Sequence, residues 1–542
     1  MTDKLIKKKF YRIEFELESP LAIGSGQNVL TDKDIIRDAR GIPYIPGSAM
    51  AGLGRSILKK YEPSKDTSDG NALNGDDVVQ KKEDSVRAAA TATGQDMKGR
   101  PEEDGIDDSP WLQHYLGYVK ISTEKNTDAW SYESRIIFYD ARILEEDEMK
   151  IEVSERDGVG LDEWKTARKG AKYDYEIIEP GVRFATIIEQ DIYDNQGSDD
   201  NIKSEKKKDR RESVPESDDS VADLIAKEWL TPGSVYLGAK TSRGYGEVKN
   251  VVIITKEFDF KKAESVREYA AFDPFNSKAW NAADPFKCDS KLQQWIPKSE
   301  DRYPLKLRLG LSLDGVILIR KYSTQAEDGK TLPDFSQLCL HGSGSKQDSV
   351  PVIPGTSWAG AFRAQMERLI PGSTEGYFGL VDKKNKQKKK SAIRFSETRV
   401  VGSRPKQISR NAIDRFSGGT IDGALFTEEA WYGNSDEPKA GSEKQTGTGG
   451  ECTVLEISFG KDTSDNFDRA LAASITDLHF GFMTVGGAAS VGRGRFKIRS
   501  INGEEVKTVT EESGTGNAKS ESCSLYNQIL SEIRKLKGEN DG

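Results

Sequence analysis

Residues 45–55 read Ile-Pro-Gly-Ser-Ala-Met-Ala-Gly-Leu-Gly-Arg, and residues 353–363 read Ile-Pro-Gly-Thr-Ser-Trp-Ala-Gly-Ala-Phe-Arg. Ile, Pro, Gly, Ala, Gly and Arg fall at the same offsets in both. A second block recurs in the same order: Ser242-Arg243-Gly244-Tyr245-Gly246 answers Ser490-Val491-Gly492-Arg493-Gly494. Three weaker echoes lie between. Tyr115-Leu116-Gly117 answers Tyr377-Phe378-Gly379, Arg135-Ile136-Ile137-Phe138 answers Ala392-Ile393-Arg394-Phe395, and Gly170-Ala171-Lys172-Tyr173 answers Gly423-Ala424-Leu425-Phe426. Five blocks in one order mark an internal duplication, which governs every further inference about fold.

The spacing divides the chain. It predicts a first copy over 1–256, a linker over 257–303, a second copy over 304–504 and a tail over 505–542 ending in a short helix, Leu525 to Leu536. The first copy is longer, and two polar stretches account for the excess, about 62–109 and 195–220. Phe10–Leu17 and Leu305–Leu311 alternate as strands with one buried face. Each leads to its Pro-Gly block, which opens a helix with Ser48 or Thr356 as the expected N-cap. Strands flanking helices, without a regular βαβ rhythm, predict an α+β class with antiparallel sheets.

The 542 residues exceed what one core supports, and they carry a formal net charge of −9. That charge weighs against a nucleic-acid partner only weakly, because the acid concentrates in loop-like segments such as Asp199 to Asp219. No apolar run is long enough for a membrane span, and the amino terminus lacks a secretion signal. The four cysteines are scattered, as suits a reducing cytoplasm.

Several residues could carry chemistry. A helix start with a preceding glycine binds phosphate readily, which singles out Gly47, Ser48, Gly355, Thr356 and Ser357. Arg55, Lys59 and Arg363 lie one to two turns on. The glycine-rich block interleaves cations, Lys240 and Arg243 in one copy and Arg493 and Arg495 in the other, that could grip a phosphodiester backbone. An ordinary capped helix and a tight turn account for the same residues. No GxxxxGK[ST] is present, so a nucleotide-binding P-loop is excluded. Aspartates precede each helix block: Asp32, Asp34 and Asp38, and Asp334. A carboxylate beside a bound phosphate can recruit Mg²⁺ or accept a ribose proton, although loop aspartates also form turns. His114, His341 and His479 lie too far apart in sequence for a histidine pair to be argued.

The strand, glycine turn, aspartate and Ile-Pro-Gly-Ser/Thr helix, closing on Ser-Arg-Gly-Tyr-Gly, resemble the RAMP superfamily of CRISPR-associated proteins. Ile393-Arg394-Phe395-Ser396-Glu397, Arg410-Asn411-Ala412-Ile413-Asp414-Arg415 and Gly423-Ala424-Leu425-Phe426 resemble it too. The match is to the seven-type backbone subunits of type III effectors, and the fused pair resembles the double backbone subunit of type III-D variant complexes. The resemblance implies two RRM- or ferredoxin-like palms that grip CRISPR RNA. It also implies β-hairpin thumbs, near Gly158 to Pro180 and Arg404 to Phe426, that displace nucleotides of a guide–target duplex. Arg410 and Arg415 would then bind RNA. It implies divalent-metal-dependent cleavage of complementary target RNA, with Mg²⁺ at Asp32, Asp34 as the fallback, and Asp334 in the second copy. An insertion, Gly342 to Asp348, follows Asp334 and breaks the family's pattern there. Other effector subunits would be partners. A purely architectural guide-binding subunit and a standalone RNA-binding protein are the competing readings.

Overall fold

A computed structural model of the chain describes residues 4–26, 31–62, 109–120, 130–161, 167–194, 220–288, 302–322, 333–342, 345–382, 387–433, 453–506 and 518–539, with Leu292, Trp295 and Pro297. Most of both polar stretches, about 62–109 and 195–220, lies outside the described residues.

The first copy begins with β1 (Lys4–Leu17), α1 (Gly47–Tyr61) and β2 (Ile136–Phe138). A two-stranded hairpin, β3 (Val153–Leu161) and β4 (Ala167–Ile178), projects next. The unit closes with β5 (Arg183–Asp194), α2 (Val221–Leu230) and β6 (Val248–Asp259). Its antiparallel sheet runs β6-β1-β5-β2. After a linker, the order repeats as β7 (Leu305–Asp314), α3 (Gly355–Leu369), β8 (Ile393–Phe395), hairpin β9 (Arg404–Arg410) and β10 (Phe426–Tyr432), β11 (Thr453–Phe459), α4 (Asp465–Phe480) and β12 (Arg495–Ile501). That sheet runs β12-β7-β11-β8. Both are the βαββαβ order of the ferredoxin-like fold.

Alternation in the first strand of each copy places one row against the helices. Tyr11, Ile13, Phe15 and Leu17 enter one core, and Leu305, Leu307, Leu309 and Leu311 enter the other. The helices supply Met50, Ile57 and Leu58, and Trp358, Phe362 and Met366. Tyr61 and Lys60 then tie α1 to α2, both donating to the Glu228 carboxylate, at 2.6 and 2.9 Å.

Two local expectations, the helix caps and the length of the C-terminal helix, are corrected. The helices cap on Pro46 and Pro354, with Ser48 and Thr356 inside the first turn. The proline backbones are extended, and their carbonyls accept the first helical bonds from Ala49 and Ser357. In copy one Asp140, from another segment, accepts from the Gly47 N–H at 2.8 Å, so no serine cap is needed there. The linker is structured: it carries a helix, Ala263–Ala270, and Asp284–Pro285 pairs with β6. The C-terminal helix is not short; it spans Ala518–Lys537, and Leu525, Ile529, Leu530 and Ile533 enter the second core.

The copies meet through an asymmetric junction. Arg156 on β3, 2% exposed at its side chain, forms a two-pronged ion pair with Glu397, just after β8. Gly244 lies so close to Phe395, Ser396 and Glu397 that a Cβ there would meet their backbone at 2.7 to 2.9 Å. The Arg394 guanidinium sits 3.6 Å from the Tyr236 ring centroid and 4.1 Å from that of Tyr303, bridging copy one and copy two. Replacing Glu397 by Ala leaves Arg156 enclosed with only Glu179 as a charged partner, at 3.5 Å. The expected loss is about 3 kcal/mol of stability, read by urea denaturation.

Candidate functional site

Asp32 and Asp334 occupy the same place in the two copies. Each stands where the loop before the helix touches the return strand of the hairpin. The Asp174 N–H on β4 donates to Asp32 Oδ2 at 3.1 Å, and the Asp32 N–H donates to Asp174 Oδ1 at 2.8 Å. In copy two the Thr427 N–H on β10 donates to Asp334 Oδ2 at 2.7 Å, and Asp334 N–H donates to the Thr427 carbonyl at 2.8 Å. Asp174 and Thr427 are themselves equivalent, one step beyond the Tyr173 and Phe426 echoes. Both Asp32 and Asp334 are exposed.

Glu176 fixes this loop in copy one. Its Oε2 accepts from the Ile35 N–H at 2.9 Å, and its two oxygens take Arg37 at 2.8 and 2.7 Å. Asp34 is buried and accepts from both the N–H and the hydroxyl of Thr31. It is a turn-forming residue, not an open carboxylate. Asp38 likewise closes a turn, accepting from the N–H groups of Arg40 and Ile42 at 2.9 Å each.

Asp174 is the residue that sequence reasoning missed. It puts a second carboxylate beside Asp32, whereas in the second copy Thr427 holds that position beside Asp334. Mg²⁺ is commonly held by one or two carboxylates plus water and substrate phosphate, and the Asp32–Asp174 pair fits that demand. Among the described residues no cluster of three or more His, Cys, Asp or Glu forms a closed metal cage.

The expected cations divide into three groups. Arg493 is buried against Glu428 in an ion pair, so it is corrected from an RNA-gripping residue to a structural one. It replaces a tyrosine: in copy one Tyr175 and Tyr245 stand at the positions of Glu428 and Arg493, their hydroxyls 3.0 Å apart. Arg410 pairs with the same Glu428 at 3.2 Å while remaining partly exposed, and Arg495 pairs with Asp314 at 3.4 Å.

Lys240 and Arg243 lie in the junction loop. The Lys240 ammonium sits over the Tyr175 ring, 2.8 Å from its centroid, and 5.0 Å from that of Tyr173. It has no hydrogen-bond partner. Burial, with the positive charges of Lys33 and Arg156, lowers its pKa to about 7, against the pull of the ring faces. Arg243 is also lowered, by burial and by Arg363, and its Nη1 is buried without a partner. Gly355, at the start of α3, packs against the Arg243 carbonyl so closely that a Cβ would collide. One helix start, Arg243 and Arg363 therefore converge, with the Glu367 carboxylate acting on Arg363 from one turn further along α3. Arg363, Ser48, Lys59 and Arg415 are exposed, while Gly47 and Arg55 are half-buried.

The tip of the second hairpin is apolar and bare. Phe416 is fully exposed, and Ile413, Ile421 and Leu425 are more exposed than not or nearly so. Asp414 holds the turn, accepting from the Phe416 and Ser417 N–H groups at 2.8 and 2.7 Å.

The RAMP superfamily profile matches residues 14–249 and 340–497, well over half of the sequence. The chain belongs to the RAMP superfamily. The first match spans most of the first copy. The second begins beyond Asp334 and ends within β12. Two RAMP regions in one chain account for the recurring blocks. No curated relative matches this RAMP protein. Among its described residues no helix is long and apolar enough to cross a membrane.

The unfolded chain holds Lys240 near its ordinary pKa, far above the folded value. Between these values the unfolded state binds more protons, so stability rises with pH across pH 7 to 9. Below about pH 7 the lysine is charged in both states and contributes no slope. Lys240→Met is expected to flatten the rise, read by urea denaturation at pH 7 and pH 9.

Proposed function

We propose that the chain is a backbone subunit of a type III CRISPR effector that binds CRISPR RNA and cleaves complementary target RNA at two positions, with Mg²⁺. The observation that carries this reading is the matched placement of Asp32 and Asp334, each exposed and fixed by a backbone N–H on the return strand of a hairpin. The helix starts at Gly47–Ser48 and Gly355–Thr356–Ser357 would turn their positive ends toward guide phosphates through Ser48 and Thr356, since the Gly47 and Ser357 N–H groups are already bonded to Asp140 and Pro354, with Arg55, Lys59 and Arg363 alongside. Arg243 and Arg363, two guanidinium groups close enough for one to lower the other's pKa, suit a phosphodiester better than a neutral ligand. Base pairing would read the target, and the protein would read backbone shape.

Each hairpin would act as a thumb. At the second, Phe416 with Arg410 and Arg415 joins an aromatic face to positive charge, a combination that stacks on splayed bases. A displaced nucleotide leaves helical geometry, so its 2′-hydroxyl can align with the adjacent phosphorus. Mg²⁺ held at Asp32, with Asp174 beside it, or at Asp334, would neutralise charge on that phosphate. Asp32 would hold the ion, and the hydrogen bond from the Asp174 N–H fixes its carboxylate against the return strand of the hairpin. The subunit would work in the cytoplasm with other effector subunits.

A second reading has its own observation. Asp32 and Asp334 also close hydrogen-bonded links to the hairpins, which a purely architectural subunit would need. Complexes assembled with guide and target separate the two readings. Asp32→Ala is expected to slow one cut by about 100-fold or more, and Asp334→Ala the other, with guide retention unchanged. Both product bands surviving in full would assign the aspartates to architecture. Loss of the guide along with the bands would show them holding the hairpins.

A further inference from the structure

The junction inside this chain is head-to-tail: the glycine loop of copy one is received by a face of copy two. A repeat joined in this way carries, in principle, a second receiving face on copy one and a second loop on copy two. Open-ended stacking of identical chains is the expected result of such an interface. The fate of those two surfaces is visible in the structure.

The loop of copy two keeps the geometry of its twin. Lys240 and Ala488 are both left-handed, at φ 60° and 57°, and Gly244 and Gly492 follow at 76° and 80°. Gly244 is packed against Phe395, Ser396 and Glu397, whereas a Cβ on Gly492 would meet nothing within 4 Å. Val491, at the place of the largely buried Arg243, is 60% exposed. This loop is open.

The receiving face of copy one is closed. In copy two that face includes Lys306 on β7, Glu456 on β11, and Arg394 and Ser396 at β8. Lys306 reaches Gly233 of copy one, where a Cβ would lie 2.5 Å from Nζ, and Arg394 stacks on Tyr236. The strand registers map these positions onto copy one. Lys306 pairs with Ser458, which pairs with Arg394, just as Phe10 pairs with Glu189, which pairs with Ile137. Lys306 thus corresponds to Phe10, Glu456 to Ile187 and Ser396 to Tyr139. Where copy two is charged and polar, copy one is apolar. Phe10 and Ile187 form a separate core with Phe258 and Trp280, and Tyr139, Tyr269 and Phe272 pack against it. The rings of Phe10 and Phe272 meet edge-on at 5.3 Å, those of Phe272 and Trp280 at 5.3 Å, and those of Tyr139 and Phe275 at 5.2 Å. Trp280 also donates to the Pro274 carbonyl at 2.8 Å.

We propose that the linker segment from Ala263 to Pro285 is a built-in cap. It occupies on copy one the sheet face that copy two uses to receive its neighbour, and so prevents a second copy of this chain from stacking there. The charge clamp is missing as well. Asp140 stands at the place of Glu397 but is engaged by the Gly47 N–H, and Ile408 on the free hairpin stands across from Glu428 as Arg156 stands across from Tyr175. The chain thus presents one open loop and one covered face, so it can take its place once in a larger assembly but not follow itself.

Sedimentation velocity of the full chain without RNA tests this and is independent of cleavage or guide binding. The wild type is expected to remain a monomer up to about 50 μM. Two uncapped forms are compared: Phe272→Asp with Trp280→Asp, and a chain whose residues 263–283 are replaced by Gly and Ser at equal length. Both are expected to associate with rising concentration, at least doubling the average mass. Adding Val491→Asp, on the open loop, should return them to monomers. Wild-type elongation overturns the proposal, as does a soluble uncapped form that stays monomeric, or association indifferent to Val491→Asp.

Discussion

No side chain fits between the first turn of α1 or α3 and the strand beside it. Gly47 lies against the carbonyl of Phe138 and Gly355 against that of Phe395, and a methyl group at either place would collide with backbone. Glycine is the residue that permits such an approach, and proline before it fixes the extended entry to the helix. The helix start, the loop carrying Asp32 or Asp334 and the second strand of the sheet are located by this contact. In copy two the same glycine also admits the Arg243 carbonyl, so a constraint internal to each fold serves the junction as well.

The junction shows why net charge said little about this protein. Its buried charges are compensated one at a time: Arg156 by Glu397 and Glu179, Arg493 by Glu428, Arg394 by two ring faces. Such groups are withdrawn from any long-range field. Lys240 and Arg243 are enclosed among rings and other cations, and burial lowers the pKa of both. A fold tolerates such cations only at a cost in desolvation, and both lie in the segment that recurs between copies.

The α+β class with antiparallel sheets was legible because its signals are local, whereas the ferredoxin-like order was implied only by the family resemblance. Alternation in Phe10–Leu17 and Leu305–Leu311 states which face is buried, and the Pro-Gly blocks mark the helix starts. The pairing of Asp32 with Asp174 was not legible, because 142 residues separate them and only the packed hairpin brings them together. Arg493 misled for a related reason. An arginine between glycines looks available, and its buried partner Glu428 lies 65 positions away in another block. The linker aromatics Trp280, Phe286 and Trp295 all pack on copy one. Their destinations differ: Trp280 enters the small core on Phe10, whereas Phe286 and Trp295 pack on the larger first core.

The exchange of Tyr175 and Tyr245 for Glu428 and Arg493 has a genetic consequence. Near-identical repeats within one gene are prone to recombine and homogenise. Here a crossover between the two blocks would set a buried glutamate beside a phenol, or a buried guanidinium beside another phenol, with its counter-ion left in the discarded half. Each half therefore tolerates its own pair and rejects half of its sibling's. The two buried pairs are exchangeable only as pairs, never one residue at a time.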